Sequence, residues 1–253
     1  MQSTGLSKRL TQLNEDGRKL IDDSAVSEEN LTGAMRDIVQ YATEKAEELG
    51  GIISWEKSIS LYDCQVLFEK VSGRAPDPNN KKIHMKPDGG ILFFVRGEEK
   101  IPILISEDKV QGTNDVLFIL GKKRQATGNA IERAAKNIRF AEMLFTGNIF
   151  PYVIFASGCD FHSSETIAKR LESMNFGTPN HYIEMGENME EQLEAILPNI
   201  DVRKHFGSVA SIFVKAHKWD MMEHGTSKWS KLERVRILQT VIDNVFTALK
   251  LDT

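Results

Sequence analysis

Asp88, Glu107 and Lys109 are the residues whose types and spacing could do chemistry in this chain. They punctuate the stretch KPDGGILFFVRGEEKIPILISEDK, Lys86 to Lys109, where two apolar runs carry an aspartate ahead of one and a Glu–Asp–Lys cluster after the other. Acidic groups beside apolar surface cost free energy unless something compensates them. A hard divalent cation such as Mg2+ is one such compensation, because it takes carboxylate oxygens, keeps several waters and asks for only one or two protein carboxylates. Asp88 and Glu107 could be those two. Lys109 follows Glu107 by two residues, so in an extended strand both side chains share a face. An ammonium there can orient a water and offset charge developing on a phosphate. Asp108, between them, is expected to point the other way and is not assigned to the site.

A second group lies downstream, in the word GNAIER, Gly128 to Arg133. Asn and Arg suit the edges of bases in the major groove, Asn pairing with adenine and Arg donating to purine N7 and O6. Asn129 and Arg133 are four apart, on one face at the start of a helix. That end of a helix carries the positive pole of its dipole. Around it, Lys122, Lys123, Arg124, Arg133, Lys136 and Arg139 stand against one acid, Glu132. The window is positive within an acidic protein, and the contrast points to a polyanion. A solvated helix capped by Asn129 fits the same residues.

These groups need elements to hold them. Asn30 to Leu49 places Leu31, Met35, Ile38, Val39 and Ala42 at helical spacing and stops at Gly50–Gly51. Gly73 to Lys82, GRAPDPNNKK, reads as a loop. Gly90 to Val95 and Ile101 to Ser106 read as an antiparallel hairpin. Gly128 to Phe145 forms an amphipathic helix, and Phe150 to Ser157, FPYVIFAS, a buried strand. Ser164 to Met174 is expected to be helical. Glu184 to Glu194 is a solvated helix start or loop, Ser208 to Ala216 a strand, and Trp229 to Leu249 a long terminal helix. The fold expected is α/β, one domain over 1–253 with a central mixed β-sheet flanked by helices, residues 1–25 forming a possible N-terminal arm.

Bulk composition narrows the classes. The 253 residues suffice for a sizeable core, and 41% hydrophobic with 27% charged content is ordinary for a globular protein. The net charge of −4 argues mildly against a nucleic-acid partner, which makes the local basic window more informative. No apolar run spans a bilayer, the first twenty residues lack a secretory core, and two cysteines, Cys64 and Cys159, make no framework. A cytoplasmic protein without a membrane partner is expected. The six histidines show no metal-ligand spacing. No phosphate-cradling glycine loop or dinucleotide fingerprint is present, which disfavours small-molecule enzymes of those classes.

KPDGG, SEDKVQG, GNAIERAAKNI and FPYVIF occur in this order and closely spaced. Together they resemble the EcoRI-type type II restriction endonucleases of the PD-(D/E)xK nuclease superfamily, whose metal-and-phosphate motif is matched by Pro87–Asp88 and Glu107–Asp108–Lys109. A weaker resemblance runs through RLESMNFGTP and SKWSKLERVRIL. It implies a restriction-endonuclease-like fold and Mg2+-dependent hydrolysis of duplex DNA, leaving 5′-phosphates and 5′ overhangs. Asp88, Glu107 and Lys109 are then catalytic, with Asp88 and Glu107 holding the metal.

The resemblance further implies that Asn129, Ala130, Glu132 and Arg133 contact an AATT core, with Gly128 among the DNA-binding residues. Lys122, Lys123 and Arg124 would lie near phosphates. Gln125, Ala126 and Thr127 depart from the family pattern at positions that help read the outer base pair. Of two arginines in a later helix, Arg170 is retained, while the other position falls at Ile167. MunI-like enzymes share the G-N-A-x-E-R word with a different outer pair, so GAATTC is the first assignment and CAATTG the alternative. A palindromic site calls for a homodimer, and a restriction system for a cognate DNA methyltransferase. A structure-specific repair nuclease and a non-catalytic DNA-binding relative stay open.

Overall fold

The computed structural model describes residues 20–73, 75–110, 137, 151–157, 182–184, 191, 209–215 and 229–251. Helix α1 spans Leu20–Glu48, ten residues earlier than its apolar spacing predicts, and the backbone then turns at Gly50, whose φ is 68°. Strand β1 (Ile52–Glu56) follows, then the two-residue β2 (Ile59–Ser60) and helix α2 (Leu61–Ser72). Within the expected loop Gly73 to Lys82, Pro78–Lys82 winds into a short 3-10 helix started by Asp77, whose carboxylate accepts from Asn79 N. Strand β3 (His84–Met85) pairs with β2 and leads directly to Asp88.

The hairpin forms as expected, from β4 (Gly90–Arg96) and a longer β5 (Glu99–Val110). Strands β6 (Pro151–Ser157), β7 (Tyr182–Glu184) and β8 (Val209–Lys215) and helix α3 (Lys231–Leu251) complete the described elements. Six of the described strands form one mixed sheet in the order β1-β4-β5-β6-β8-β7. β4 runs antiparallel to both β1 and β5, while β5, β6, β8 and β7 are mutually parallel.

β5 changes partner along its length. Its first half pairs with β4, and from Ile105 onward it also pairs in parallel with β6. Pro102 is accommodated beside a register shift opposite Leu92 and Phe93, before the pairing with β6 begins. A residue without an N–H belongs at such an irregularity. Glu107 and Lys109 therefore sit inside a strand held on its β6 side, rather than on a free hairpin end.

Helices α1 and α3 pack together on one face of the sheet. Leu31, Met35, Ile38, Ala42 and Ala46 meet Ile237, Leu238, Val241, Ile242 and Val245, above Leu92, Phe94, Leu104, Val153 and Phe155. Polar pairs edge this contact, with Tyr41 donating to Asp243 at 2.8 Å and Lys45 paired to the same carboxylate at 2.7 Å. Ile91, Phe93, Ile105, Tyr152 and Ile154 occupy the alternate positions and are also buried, so the centre of the sheet is covered on both faces. Near-continuous apolar runs follow from that, and the lone acidic residues in β5 stand out against it. Of the other expectations, the helix Ser164 to Met174 and all of Gly128 to Phe145 except helical Asn137 lie outside the described residues. In Glu184 to Glu194, Glu184 ends β7 and Glu191 is helical and exposed.

Candidate active site

The strand period decides which side chains can meet. Leu104, Ser106 and Asp108 alternate with Ile105, Glu107 and Lys109, and the two sets project to opposite faces. Asp108 points to the helical face, where Arg234 of α3 donates to both its oxygens at 3.1 Å. Glu107 and Lys109 project to the other face, as their spacing predicts.

Asp88 reaches the same point from a turn. Gly90 N donates to Pro87 O at 3.0 Å, closing a four-residue turn around Asp88 and Gly89. Gly89 N donates to Ser106 O at 3.0 Å, and Trp55 Nε1 donates to Gly89 O at 2.9 Å. The turn is thus pressed between β5 and the indole of β1. A methyl group on Gly89 would overlap the Ser106 hydroxyl, and Gly90 combines a φ of 82° with Glu56 O and Trp55 Nε1 only 2.7 Å from where its Cβ would stand. Only glycine meets both demands. The second glycine of KPDGG is therefore conformational, the first steric.

So anchored, the Asp88 carboxylate accepts from Asp108 N at 3.2 Å and lies 3.8 Å from Lys109 Nζ. Lys109 is ion-paired with Glu107 and donates to Asp108 O at 3.2 Å. The three residues singled out by type and spacing converge, with Lys109 between the two acids. Glu107 is only 3% exposed. Burial pushes its carboxyl above the usual range, and the neighbouring Lys109 opposes that. A buried carboxylate facing a second acid and one cation is a site with room for more positive charge. Among the described residues no group of three or more His, Cys, Asp or Glu gathers as a metal site. Two carboxylates are donors that a hard divalent cation takes, completing its shell with water.

Restriction endonuclease EcoRI is the description of the family model that matches residues 79–235, well over half of the chain. The chain belongs to the EcoRI family. It is a type II restriction endonuclease, a DNA-hydrolysing enzyme, and the match spans the PDGG turn, β5, the GNAIER word and the start of α3. Comparison with curated proteins gives no match. Among the described residues no helix is long and apolar enough to cross a membrane.

Two residues of this EcoRI-family site were not singled out from sequence. Tyr152 of β6 donates to Glu107 Oε2 at 2.9 Å, and Asn137 Nδ2 donates to Glu107 Oε1 at 2.9 Å. A signal for the first existed, since Tyr152 is the only hydroxyl inside the apolar run PYVIFA, and a buried tyrosine hydroxyl wants a partner. Asn137 stands four residues after Arg133 in GNAIERAAKNI, one turn along the same helical spacing. Arg234 and its partner Ser27, whose hydroxyl lies 2.6 Å from Nη2, carried no such signal. The expected DNA-contacting residues Lys122, Lys123, Arg124, Gln125, Ala126, Thr127, Gly128, Asn129, Ala130, Glu132, Arg133 and Arg170 lie outside the described residues. His84, exposed in β3, pairs through its backbone with Ser60.

Proposed function

We propose that this enzyme is a cytoplasmic, Mg2+-dependent homodimer, one domain per chain, that cuts duplex DNA at a palindrome with an AATT core. GAATTC is the first assignment and CAATTG the alternative. The observation that carries the reading is the convergence of Asp88, Glu107 and Lys109 on the face of β5 opposite α1 and α3. Fixed acids that can hold a cation and a fixed ammonium that can offset phosphate charge support phosphodiester hydrolysis.

Asp88 and Glu107 would hold the cation, which when bound polarises the scissile phosphate and lowers the pKa of a nearby water. The PDGG turn fixes Asp88, and pairing with β6 fixes Glu107, so neither acid needs to reorganise during reaction. Lys109 orients the attacking water and offsets charge on the phosphate as it grows. The water oxygen bonds to phosphorus and gives up a proton to solvent, the bond from phosphorus to O3′ breaks, and O3′ takes up a proton from solvent water. The products are a 3′-hydroxyl and a 5′-phosphate, with staggered cuts giving 5′ overhangs.

Base reading is assigned to Asn129, Ala130, Glu132 and Arg133 for the core. Gln125, Ala126 and Thr127 are assigned to the outer pair, with Lys122, Lys123, Arg124 and Arg170 supporting contact with the duplex. A cognate methyltransferase would protect the host's own sites. Digestion of a random-sequence duplex library with Mg2+, followed by sequencing of the ends, tests the whole reading. Ends mapping to a six-base palindrome centred on AATT are expected, and they identify the outer pair. No cutting, or cutting without sequence preference, would overturn the GNAIER assignment and leave a structure-specific nuclease or a non-catalytic DNA-binding relative.

A further inference from the structure

Glu107 has its two oxygens in different company. Oε1 is shared by Lys109 Nζ and Asn137 Nδ2, on the side where Lys109 also approaches Asp88. Oε2 accepts from the hydroxyl of Tyr152 at 2.9 Å, within a wall of the sheet where Tyr152 itself is fully buried. The register explains the reach. Tyr152 stands opposite Ile105 in the parallel pairing of β5 and β6, and Ile105 shares a face with Glu107. A long phenol beginning one pleat back along the neighbouring strand ends at the carboxylate.

We propose that Tyr152 and Asn137 are positioning residues for Glu107: the phenol anchors Oε2, the Asn137 amide steadies Oε1, and the lone pair of Oε1 that Lys109 holds is the one presented to the metal. The inference rests on the proposed role of Glu107. A glutamate has three side-chain torsions, and a carboxylate that can rotate loses affinity for a cation through the freedom it must give up. Hydrogen bonds from buried neighbours remove that freedom in advance, and losing one such partner typically weakens metal binding or activity about 10–100-fold. Tyr152 suits the task because it is fully buried in the strand beside the one that carries Glu107. Asn137 acts on the other oxygen from outside the strand, so the two donors restrain the group from two directions.

Mn2+ titrated calorimetrically into DNA-free enzyme is the probe, comparing wild type with Tyr152→Phe and Asn137→Ala, with Tm and metal-free DNA binding measured alongside. Tyr152→Phe keeps the ring and is expected to leave Tm and metal-free DNA binding close to wild type. It should weaken Mn2+ binding about 10–100-fold and raise by a similar factor the Mg2+ needed for half-maximal cleavage. Should Tyr152→Phe fail to fold, Asn137→Ala, half-buried on its helix, carries the measurement, with a smaller loss expected. Wild-type Mn2+ affinity in the folded variants overturns the inference while leaving the catalytic assignment intact. A wild-type enzyme that takes up no Mn2+ and needs no Mg2+ overturns the metal reading and this inference with it.

Discussion

Arg234 Nη2 donates to both carboxylate oxygens of Asp108 at 3.1 Å, across 126 residues of chain. The pair ties helix α3 to the strand that carries Glu107 and Lys109, at the residue between them. The Arg234 side chain has no exposed surface and that of Asp108 is 3% exposed. Arg234 also reaches the carbonyl and hydroxyl of Ser27 in α1, and its ring-facing side lies 5.4 Å from the centre of Phe155. Both helices therefore bear on the strand from behind the site. Trp229 reinforces the anchorage, donating to Ala156 O at 2.9 Å and packing edge-on against Phe155.

Removing one member of a buried pair leaves the other charge without compensation, which costs about 3–5 kcal/mol. Arg234→Ala is expected to lose that much in urea unfolding. Replacing both partners by apolar residues, Arg234→Met with Asp108→Leu, should recover most of it, because no charge remains buried. Additive losses in the double variant would show that the two side chains do not act as a pair.

Lys109→Ala should abolish cleavage and leave specific binding of the DNA largely intact. Loss of one preorganised charge-stabilising group typically costs about 100- to 1000-fold in rate, and a single-turnover assay at saturating Mg2+ reads it. A variant that cuts at the wild-type rate removes Lys109 from the mechanism.

Gly89→Ala would drive a methyl into the Ser106 hydroxyl and push the turn that carries Asp88 away from β5. Cleavage should fall by more than the stability does. Ser106→Gly in the same chain opens the space and should restore part of the rate. Gly90→Ala has no such rescue, since its φ of 82° is backbone strain as well as crowding. Equal activity for wild type and Gly89→Ala would mean that the turn can shift without moving Asp88.

Cys64 is buried in α2, and burial pushes its thiol from about 9 up to about 12, with the Asp63 charge adding to the effect. Between those values the folded protein keeps a proton that the unfolded chain has released. Stability attributable to Cys64 is therefore intact below about pH 9 and falls above it, by at most about 1.4 kcal/mol per pH unit. Urea unfolding of wild type and Cys64→Ala from pH 7 to 10.5 should show a steeper alkaline decline in wild type. Native Cys64 should also resist iodoacetamide at pH 8 and react once urea unfolds the chain.

Arg133→Ala should reduce discrimination among core bases by about 1–3 kcal/mol. Binding to the AATT duplex and to single-substitution duplexes, at one salt concentration, measures it. Uniform weakening on all sequences would instead mark Arg133 as a phosphate contact.

Much of this enzyme was legible in its residues. Alternating positions in ISEDK separate Glu107 and Lys109 from Asp108, because a strand's period of two admits no other arrangement. Continuous apolar runs announce β4, β5 and β6, since strands covered on both faces have no solvent to alternate with. The apolar stripe of α1 and the extent of α3 follow from helical spacing in the same way. Strand β1 was not legible, because ISWE is too short and mixed in character to be told from a loop, and it forms by pairing with β4.

The partners of the acids belong to the tertiary structure alone. Nothing local links Glu107 to Tyr152, 45 residues on, or Asp108 to Arg234, 126 residues on. A carboxylate's environment is set by which strand comes to lie beside its own and which helix lies across the sheet. Spacing along the chain tells which face a side chain takes; the crossing of distant elements determines what it meets there.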